Sequence, residues 1–515
     1  MSAEKIVDDV EINTFDGSNS ESKDGADYVP ENKVYTPSEI EKSGNIFDRR
    51  FIPGIPAYSN AIIQIVMLAF VVFMTPGMYN ALSGIGASIS GPDGVKTQDN
   101  SNVALYCTFA GVGFFAGTIC NFVGARSCLI FGGTGYLVYA GSLLSYNRNG
   151  NSGFVIFAGA YLGICAACLW AAQGSIIMSY PTEDKKGRAI MIFWVIFNLG
   201  AVIGAIIPLA NNIHSNSSSV KDSTYIAFMV LMGCGSVIAS FMLPKEKVWK
   251  EDGTRVVTKK LPSWKSEIFG SFRLLIKEPK ILLMFPMFFS SNWFYTYQFN
   301  DFNAGRFNVR TRSLNSLLYW FFQMIGAIVI GTILDLKWFK RSTRARIGWT
   351  FIFVITLAIW GGGYKFQKGF TRADVTADVN GNIKLKQIDF KDGAYIGPMF
   401  LYIFYGILDA MFQSYCLWLM GALSNDSETT AHYAGFYKGV QSAGAAVAWR
   451  LDAYSTAYMS MFASSWALVQ GSLVIAIPLV FFLVSDYTDE KPENPLDDEE
   501  FAPIVALASG EGRIV

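Results

Sequence analysis

Asp409, Lys438 and Arg450 are charged side chains set inside long apolar stretches, and they are where this chain could do chemistry. Asp409, with Gln413 one turn later, interrupts AYIGPMFLYIFYGILDAMFQSYCLWLMGAL, and Lys438, Gln441 and Arg450 interrupt HYAGFYKGVQSAGAAVAWRLDA. A charge at the centre of a bilayer costs about 2.5–3.5 kcal/mol by insertion, so such residues face a bundle interior or a watery cavity and mark a working region. At about 1.5 Å of rise per residue, Asp409 lies about 18 Å from one end of its segment, Lys438 about 9 Å and Arg450 about 27 Å. Neither cation is an automatic partner for the carboxylate. Asp301, at the end of an earlier apolar stretch, matches Arg450 better in height, so Asp301 and Arg450 are candidates for a gate or ion pair. Asp409 then has two readings: a structural carboxylate hydrogen-bonded by Tyr402, Tyr405 or Gln413, or a site that binds a cation or a proton. In the first half of the chain the candidates for a cavity are Tyr79, Asn80, Trp170 and Gln173, with Pro76 and Gly77 as a hinge or a packing kink. Gly439, Ala443, Ala446 and Arg450 share one helical face, which suits close packing of backbones, while Gln441 lies roughly opposite Arg450.

The elements that must position these groups are membrane helices. The chain has 515 residues, of which 51% are hydrophobic and only 16% charged, and its mean hydropathy is +0.31. That is too apolar for an ordinary soluble protein and implies an all-α, multi-pass membrane protein. Two histidines do not suffice for a multi-histidine metal site, and the seven cysteines fall within or at the ends of apolar runs, where they pack as small polarizable side chains. No nucleophile and base constellation appears, so an enzyme is the least expected class, and no cofactor, metal or nucleic acid is called for.

Runs of about twenty apolar residues cross a bilayer. They fall at roughly 58–86, 102–123, 126–145, 153–179, 189–210 and 223–243, then at 280–299, 314–335, 346–364, 394–421, 432–453 and 464–484. The organisation predicted is a polar tail over 1–50, a first six-helix half over 51–243, a basic linker over 244–279, a second six-helix half over 280–484 and an acidic tail over 485–515. Basic residues cluster in the even-numbered connections, including Arg126, Lys185, Lys186, Lys340 and Arg341, which places both tails and the linker in the cytosol. GTICN at the end of span two (Gly117, Asn121) and GTILD at the end of span eight (Gly331, Asp335) stand six spans apart, each before a basic turn. Matching positions in two halves are what an internal duplication produces.

FMTPGMYNALSGIGA in span one, LWAAQGSIIMSYPTEDKKGRAI from span four into five, and AGFYKGVQSAGAAVAWRLD in span eleven together resemble the Unc-93-like family, in particular its fungal and plant members. This is a divergent branch of the major facilitator superfamily. The resemblance runs from about Arg50 to Asp486. It implies the twelve-helix facilitator fold, with spans one, four, seven and ten around a central cavity and two, five, eight and eleven flanking it. The Gly, Asp and basic residues after span eight also resemble that superfamily's cytosolic-loop signature, from which the first copy departs by having Asn121 in place of the acid. Animal members are better known as accessory subunits of other membrane proteins than as carriers. Two function classes therefore stay open: a carrier of a small solute or ion, or a scaffold that regulates a membrane-protein partner. The membrane itself, plasma membrane or endomembrane, is left open.

The orientation predicts a glycan at Asn216, in the connection after span five, and none at Asn425, whose sequon lies in a cytosolic turn. Glycosidase-sensitive mobility that disappears in Asn216→Gln is the expected result. Retention of a glycan in that variant and its loss in Asn425→Gln would reverse the topology.

Overall fold

The computed structural model describes residues 36, 45–50, 53–85, 93–182, 186–212, 221–256, 275–336, 338–376, 383–423 and 427–486. Asn216, Asn425, most of both tails and the middle of the linker lie outside the described residues, as do the side chains of Asn121 and His432.

Twelve helical segments follow in order. The first half is α1 (Ala61–Gly84), α2 (Gly94–Val123), α3 (Ala125–Asn149), α4 (Ser152–Ser179), α5 (Lys186–Asn212) and α6 (Asp222–Phe241). The second is α7 (279–304), α8 (Val309–Leu334), α9 (Arg341–Gln367), α10 (Ile396–Leu423), α11 (Ser427–Ala453) and α12 (Tyr458–Leu483). Among the described residues, nine helices are long and apolar enough to span a bilayer by themselves. α7 and α11 are interrupted by polar residues, and α2, α7 and α11 carry Asp99, Asp301 and Lys438. Two hydrophobic cores form, one from α1 to α6 and one from α7 to α12 that also takes in Ala201 and Val202 of α5. The outer surface keeps apolar side chains exposed, among them Val230, Ile328, Val354, Phe400 and Phe482. In hydrocarbon these are satisfied by lipid, while backbone polar groups are satisfied within each helix.

Glycine contacts set how closely the helices pack. A Cβ on Gly163 of α4 would meet the Leu105 carbonyl oxygen of α2 at 2.1 Å, and one on Gly326 of α8 would meet the Ile407 carbonyl oxygen of α10 at 2.5 Å. These are corresponding helix pairs of the two halves, so the packing device is repeated along with the fold. The halves also share a brace at their basic ends. Arg126 at the start of α3 donates to the Ser240 carbonyl at the end of α6, and Arg346 near the start of α9 donates to the Phe481 carbonyl near the end of α12 at 2.9 Å. In α11 a tight approach falls at Gly444, where a Cβ would meet the Phe289 carbonyl oxygen at 2.0 Å, while its neighbour Ala443, on the expected small face, is exposed. Helical periodicity identifies a small face but cannot say where a neighbour crosses it.

Three helices differ from regular spans. α1 contains a π turn over Phe73–Gly77 that absorbs Pro76, and Gly77 lies against α5, its added Cβ reaching Gly200 Cα at 3.3 Å. α7, expected as a plain span over 280–299, is a series of short pieces: Pro279–Met284 in a 3-10 turn, then Phe285–Ser290, Phe294–Thr296 and a π segment Tyr297–Ala304. Ser290 and Ser291 turn their hydroxyls back onto the carbonyls of Met287 and Phe288 at 3.2 and 2.8 Å, competing with the backbone ladder where the helix breaks. The linker is also not a plain connection. Residues 244–256 fold under the first half, where Trp249 accepts the Ala61 N–H through its carbonyl at 2.8 Å and stacks with Arg255 at 3.9 Å.

Gly163→Leu should lower folded yield and thermal stability, since overpacking a close contact costs about 1–3 kcal/mol or more. Gly361→Leu, where a side chain meets open space, should behave as wild type. Size-exclusion profiles and thermal midpoints check this, and equal behaviour of the two variants would reject the glycine contact as a packing determinant.

Candidate functional site

Asp409 is buried in the centre of the second half, 1% exposed. The broken α7 brings Tyr295, whose hydroxyl donates to Oδ2 at 2.9 Å. α8 brings Tyr319, donating to the same oxygen at 3.0 Å, and Gln323, whose amide also reaches it. Gln413, one turn along α10, donates to Oδ1 at 2.7 Å. Bonds to a charged acceptor contribute about 1.5–3 kcal/mol each, so a set of donors of this kind is how a bundle solvates a carboxylate without water. Tyr319 lies equally near the Gln298 Oε1 atom, at 2.8 Å. Its single hydroxyl proton can therefore serve Gln298 while a protonated Asp409 donates back to the phenol oxygen. The geometry accommodates both protonation states.

From Asp409 the hydrogen bonds continue toward a cation. The Gln441 amide nitrogen lies 3.1 Å from the Gln413 Oε1 atom, and Gln441 Oε1 accepts from Lys438 Nζ at 3.0 Å. Ser291 and Asn292, at the break in α7, stand 3.1 Å from the same Gln441 nitrogen. The opposite charges are thus joined through two glutamine amides instead of a direct ion pair. Each amide receives on one side and donates on the other, which an apolar residue or a carboxylate at that position does not reproduce. Lys438 also faces the other half of the molecule, with Nζ 5.5 Å from the Trp170 ring of α4 and 5.3 Å from the Tyr437 ring. Gln173, one turn beyond Trp170, is half-buried.

The remaining candidates fall into separate places. Tyr79 and Asn80 line a small chamber between the halves, about 30 Å³, with Ser83, Tyr106, Tyr295 and Trp449. Tyr295 therefore touches both this chamber and Asp409. A larger cavity of about 850 Å³ lies at the periphery of the first half, between Phe47, Tyr58 and Phe241, away from these groups. Gly117 and Gly331 have open space where a Cβ would stand, and the Asp335 N–H closes α8 onto the Gly331 carbonyl at 2.9 Å.

Two sequence expectations are corrected. Asp301 pairs with Arg372 at 3.2 Å, not with Arg450. Arg450 instead donates to Asn100 of α2 at 2.9 Å and covers the Tyr454 ring. Counting heights along helices could not find Arg372, because it comes from the short helix Arg372–Val375 in the connection after α9. Of the three alternatives offered around Asp409, Gln413 is the one that binds it, and among the described hydrogen bonds none joins Tyr402 or Tyr405 to the carboxylate. Tyr295, Tyr319 and Gln323, which surround Asp409, and Arg372, which pairs with Asp301, are not singled out by the sequence. Tyrosines and a glutamine on apolar helices look like ordinary packing residues until a carboxylate stands opposite them.

Gln413→Leu and Gln441→Leu should each destabilise the second half, and their effects should be non-additive by about 0.5–3 kcal/mol, as for residues in one hydrogen-bond network. Unfolding of the purified single and double variants measures this. Strict additivity would show that the two amides do not act as a unit.

The sequence model of the family described as "Ion channel regulatory protein UNC-93" matches residues 96–359. A UNC93-like protein of Schizosaccharomyces pombe is 53% identical over 82% of this chain and 83% of its own. UNC93-like protein 1 of Arabidopsis thaliana is 41% identical over 84% of this chain and 93% of its own. Among solved structures, a D-xylose-proton symporter superposes with a TM-score of 0.56 at 11% identity, covering 83% of this chain and 98% of that one. At that identity the likeness concerns the fold alone. Similarity on this scale, joined to twelve helical segments in two halves, means that the chain belongs to the UNC-93 family and is an integral, multi-pass membrane protein with the major facilitator fold.

Proposed function

We propose that the chain is a transporter of the major facilitator type that moves a small solute or ion by alternating access, with Asp409, Gln413, Gln441 and Lys438 as its polar site. The observation that carries this reading is the buried charge relay that ends on Lys438 facing Trp170 across the division between the halves. Buried ionisable groups in a membrane bundle mark ion and substrate paths, and a site beside a discontinuous helix is the arrangement in which exposed backbone and polar side chains serve a ligand. The distribution of contacts between the halves supports the same reading. Asn303 donates to the Gly84 carbonyl at 3.0 Å, Ser316 to the Ala81 carbonyl at 3.3 Å and Asn300 to Asp99 at 2.8 Å. These contacts gather at the end bearing the odd-numbered connections, as in a carrier closed on one face. In the proposed topology that face is external or lumenal, both tails are cytosolic, and residues 51–243 and 280–484 are the two moving units.

A scaffold that regulates another membrane protein is the second reading, and the family's description as an ion channel regulatory protein favours it. Tyr79, Asn80, Trp170 and Gln173 would be substrate contacts in a carrier and packing residues in a scaffold.

Uptake of a broad panel of solutes into vesicles containing the purified protein, run beside capture of partners from the native membrane, separates the two. For a carrier, Asp409→Asn should keep normal abundance and abolish ion-coupled uptake, because an amide cannot exchange the proton or cation that a carboxylate does. Lys438→Gln should reduce uptake by at least about tenfold, the kinetic equivalent of about 1.4 kcal/mol. Stable partner assembly with no uptake by the wild type, unchanged in Asp409→Asn, would remove the transport reading.

A further inference from the structure

Three carboxylates lie together at the odd-connection end, on both sides of the division between the halves. Asp99 belongs to α2, Asp301 to the π segment of α7 and Asp452 to the end of α11; they are 0%, 0% and 2% exposed. Asn300 bridges two of them, its amide donating to Asp99 Oδ1 at 2.8 Å and to Asp452 Oδ2 at 2.9 Å. Arg372 binds Asp452 and reaches Asp301 at 3.2 Å. The same guanidinium donates to the Thr456 carbonyl at 2.9 Å and lies 4.3 Å from the Tyr458 ring of α12. Asp99 Oδ2 and Asp301 Oδ2 are buried with no hydrogen-bond partner.

One guanidinium cannot neutralise three buried carboxylates. Asp452 is held against Asp99 through the shared Asn300 amide and against Asp301 through the shared Arg372 guanidinium, and two carboxylate oxygens brought together attract only when a proton lies between them. Ionised, the cluster would hold two uncompensated negative charges in a site that water does not reach, at a cost of several kcal/mol per ion. The geometry points to a proton-binding site: Asp99, Asp301 and Asp452 share protons when the two halves meet at this face. Loss of those protons to water drives the halves apart. The repulsion acts across the division because Asp99 is on one half and Asp301 and Asp452 are on the other. Arg450, the neighbouring cation, is engaged by Asn100 and Tyr454 and does not replace the missing positive charge.

The helix that carries Arg372 does not titrate in the same range. Its capping residue Asp374, outside the spans, is hydrogen-bonded by Lys384 and by the hydroxyl and N–H of Thr371, which hold its carboxyl down at about 2. A depressed carboxyl gives its stabilisation above its unfolded value of about 4 and loses it as pH falls through about 2. Between pH 5.5 and 8.5 the cap stays ionised and Arg372 stays in place.

The sidedness and the opening motion rest on the transport reading above, but the test does not need transport. Ser83 lines the chamber beneath this face, and Ser83→Cys in the full chain, in nanodiscs, reports its opening. A membrane-impermeant maleimide is applied, modification is read at that residue by peptide mass spectrometry, and each rate is divided by that of the unfolded chain at the same pH. Raising pH from 5.5 to 8.5 should raise the normalised rate by at least about tenfold, the change in the ratio of deprotonated to protonated site over one pH unit. In the Ser83→Cys background, Asp99→Asn with Asp301→Asn, which mimics the protonated form, should stay slow at both pH values; Asp99→Asn alone should show a reduced response if the double variant does not fold. A rate independent of pH in the unaltered cluster, or an undiminished response in either Asn variant, would overturn the proposal. So would closure by sodium but not by protons, which would assign the cluster to a metal cation. Gated labelling without uptake leaves the proton site standing and removes the transport reading, while uptake with pH-independent labelling does the reverse.

Discussion

A charged group in the middle of a lipid-embedded bundle has to be solvated by the protein, and the second half of this molecule is arranged around that constraint at Asp409. Hydrocarbon offers no hydrogen bonds, so each oxygen of the carboxylate must be met by a donor carried on a helix. Tyr295, Tyr319, Gln323 and Gln413 come from α7, α8 and α10. Their convergence requires these helices to pack closely, which Gly326 and Gly406 permit between α8 and α10. It also requires α7 to break at Ser291 and Asn292, since these two residues complete the surroundings of Gln441. A regular helix would point them along the rest of α7 and leave the relay to Lys438 without support.

The two charge systems of the second half are solved differently. At Asp409 the carboxylate is matched by neutral donors, and the nearest cation is held two amides away. At the odd-connection end three carboxylates crowd around one guanidinium, with two oxygens left unpartnered. The first arrangement tolerates either protonation state, whereas the second calls for protons when closed. Both contain groups from the irregular helix α7: Tyr295 before the π segment, and Asn300 and Asp301 within it. A rotation of this one segment would therefore disturb both systems together, giving a physical link between the centre of the protein and the contact between its halves.

The division of labour between the halves is uneven. The first half contributes aromatic and amide side chains, Tyr79, Asn80, Trp170 and Gln173, and a π turn at Pro76 that keeps α1 against α5. Its carboxylate at the division, among the described residues, is Asp99 in the first turns of α2. The two halves nevertheless share contacts at corresponding places, in the glycine approaches of α2 with α4 and α8 with α10 and in the arginine braces at Ser240 and Phe481. The packing devices occur in both halves, while most of the buried charge among the described residues lies in the second.

What the sequence by itself determined was the environment and the count. Apolar runs of bilayer length report the solvent directly, and the approximate places of the helical segments, the burial of Asp409 inside the bundle and the Gln413 contact followed from burial cost and helical spacing. What only the tertiary structure decided was which groups meet. The pairing of Asp301 with Arg372 instead of Arg450, the tyrosines around Asp409 and the approach at Gly444 depend on helix rotation, on a break in α7 and on a loop folding back into the bundle. Hydropathy and a period of 3.6 residues give depth and face, but partners are set by how helices cross, a property that no single segment carries.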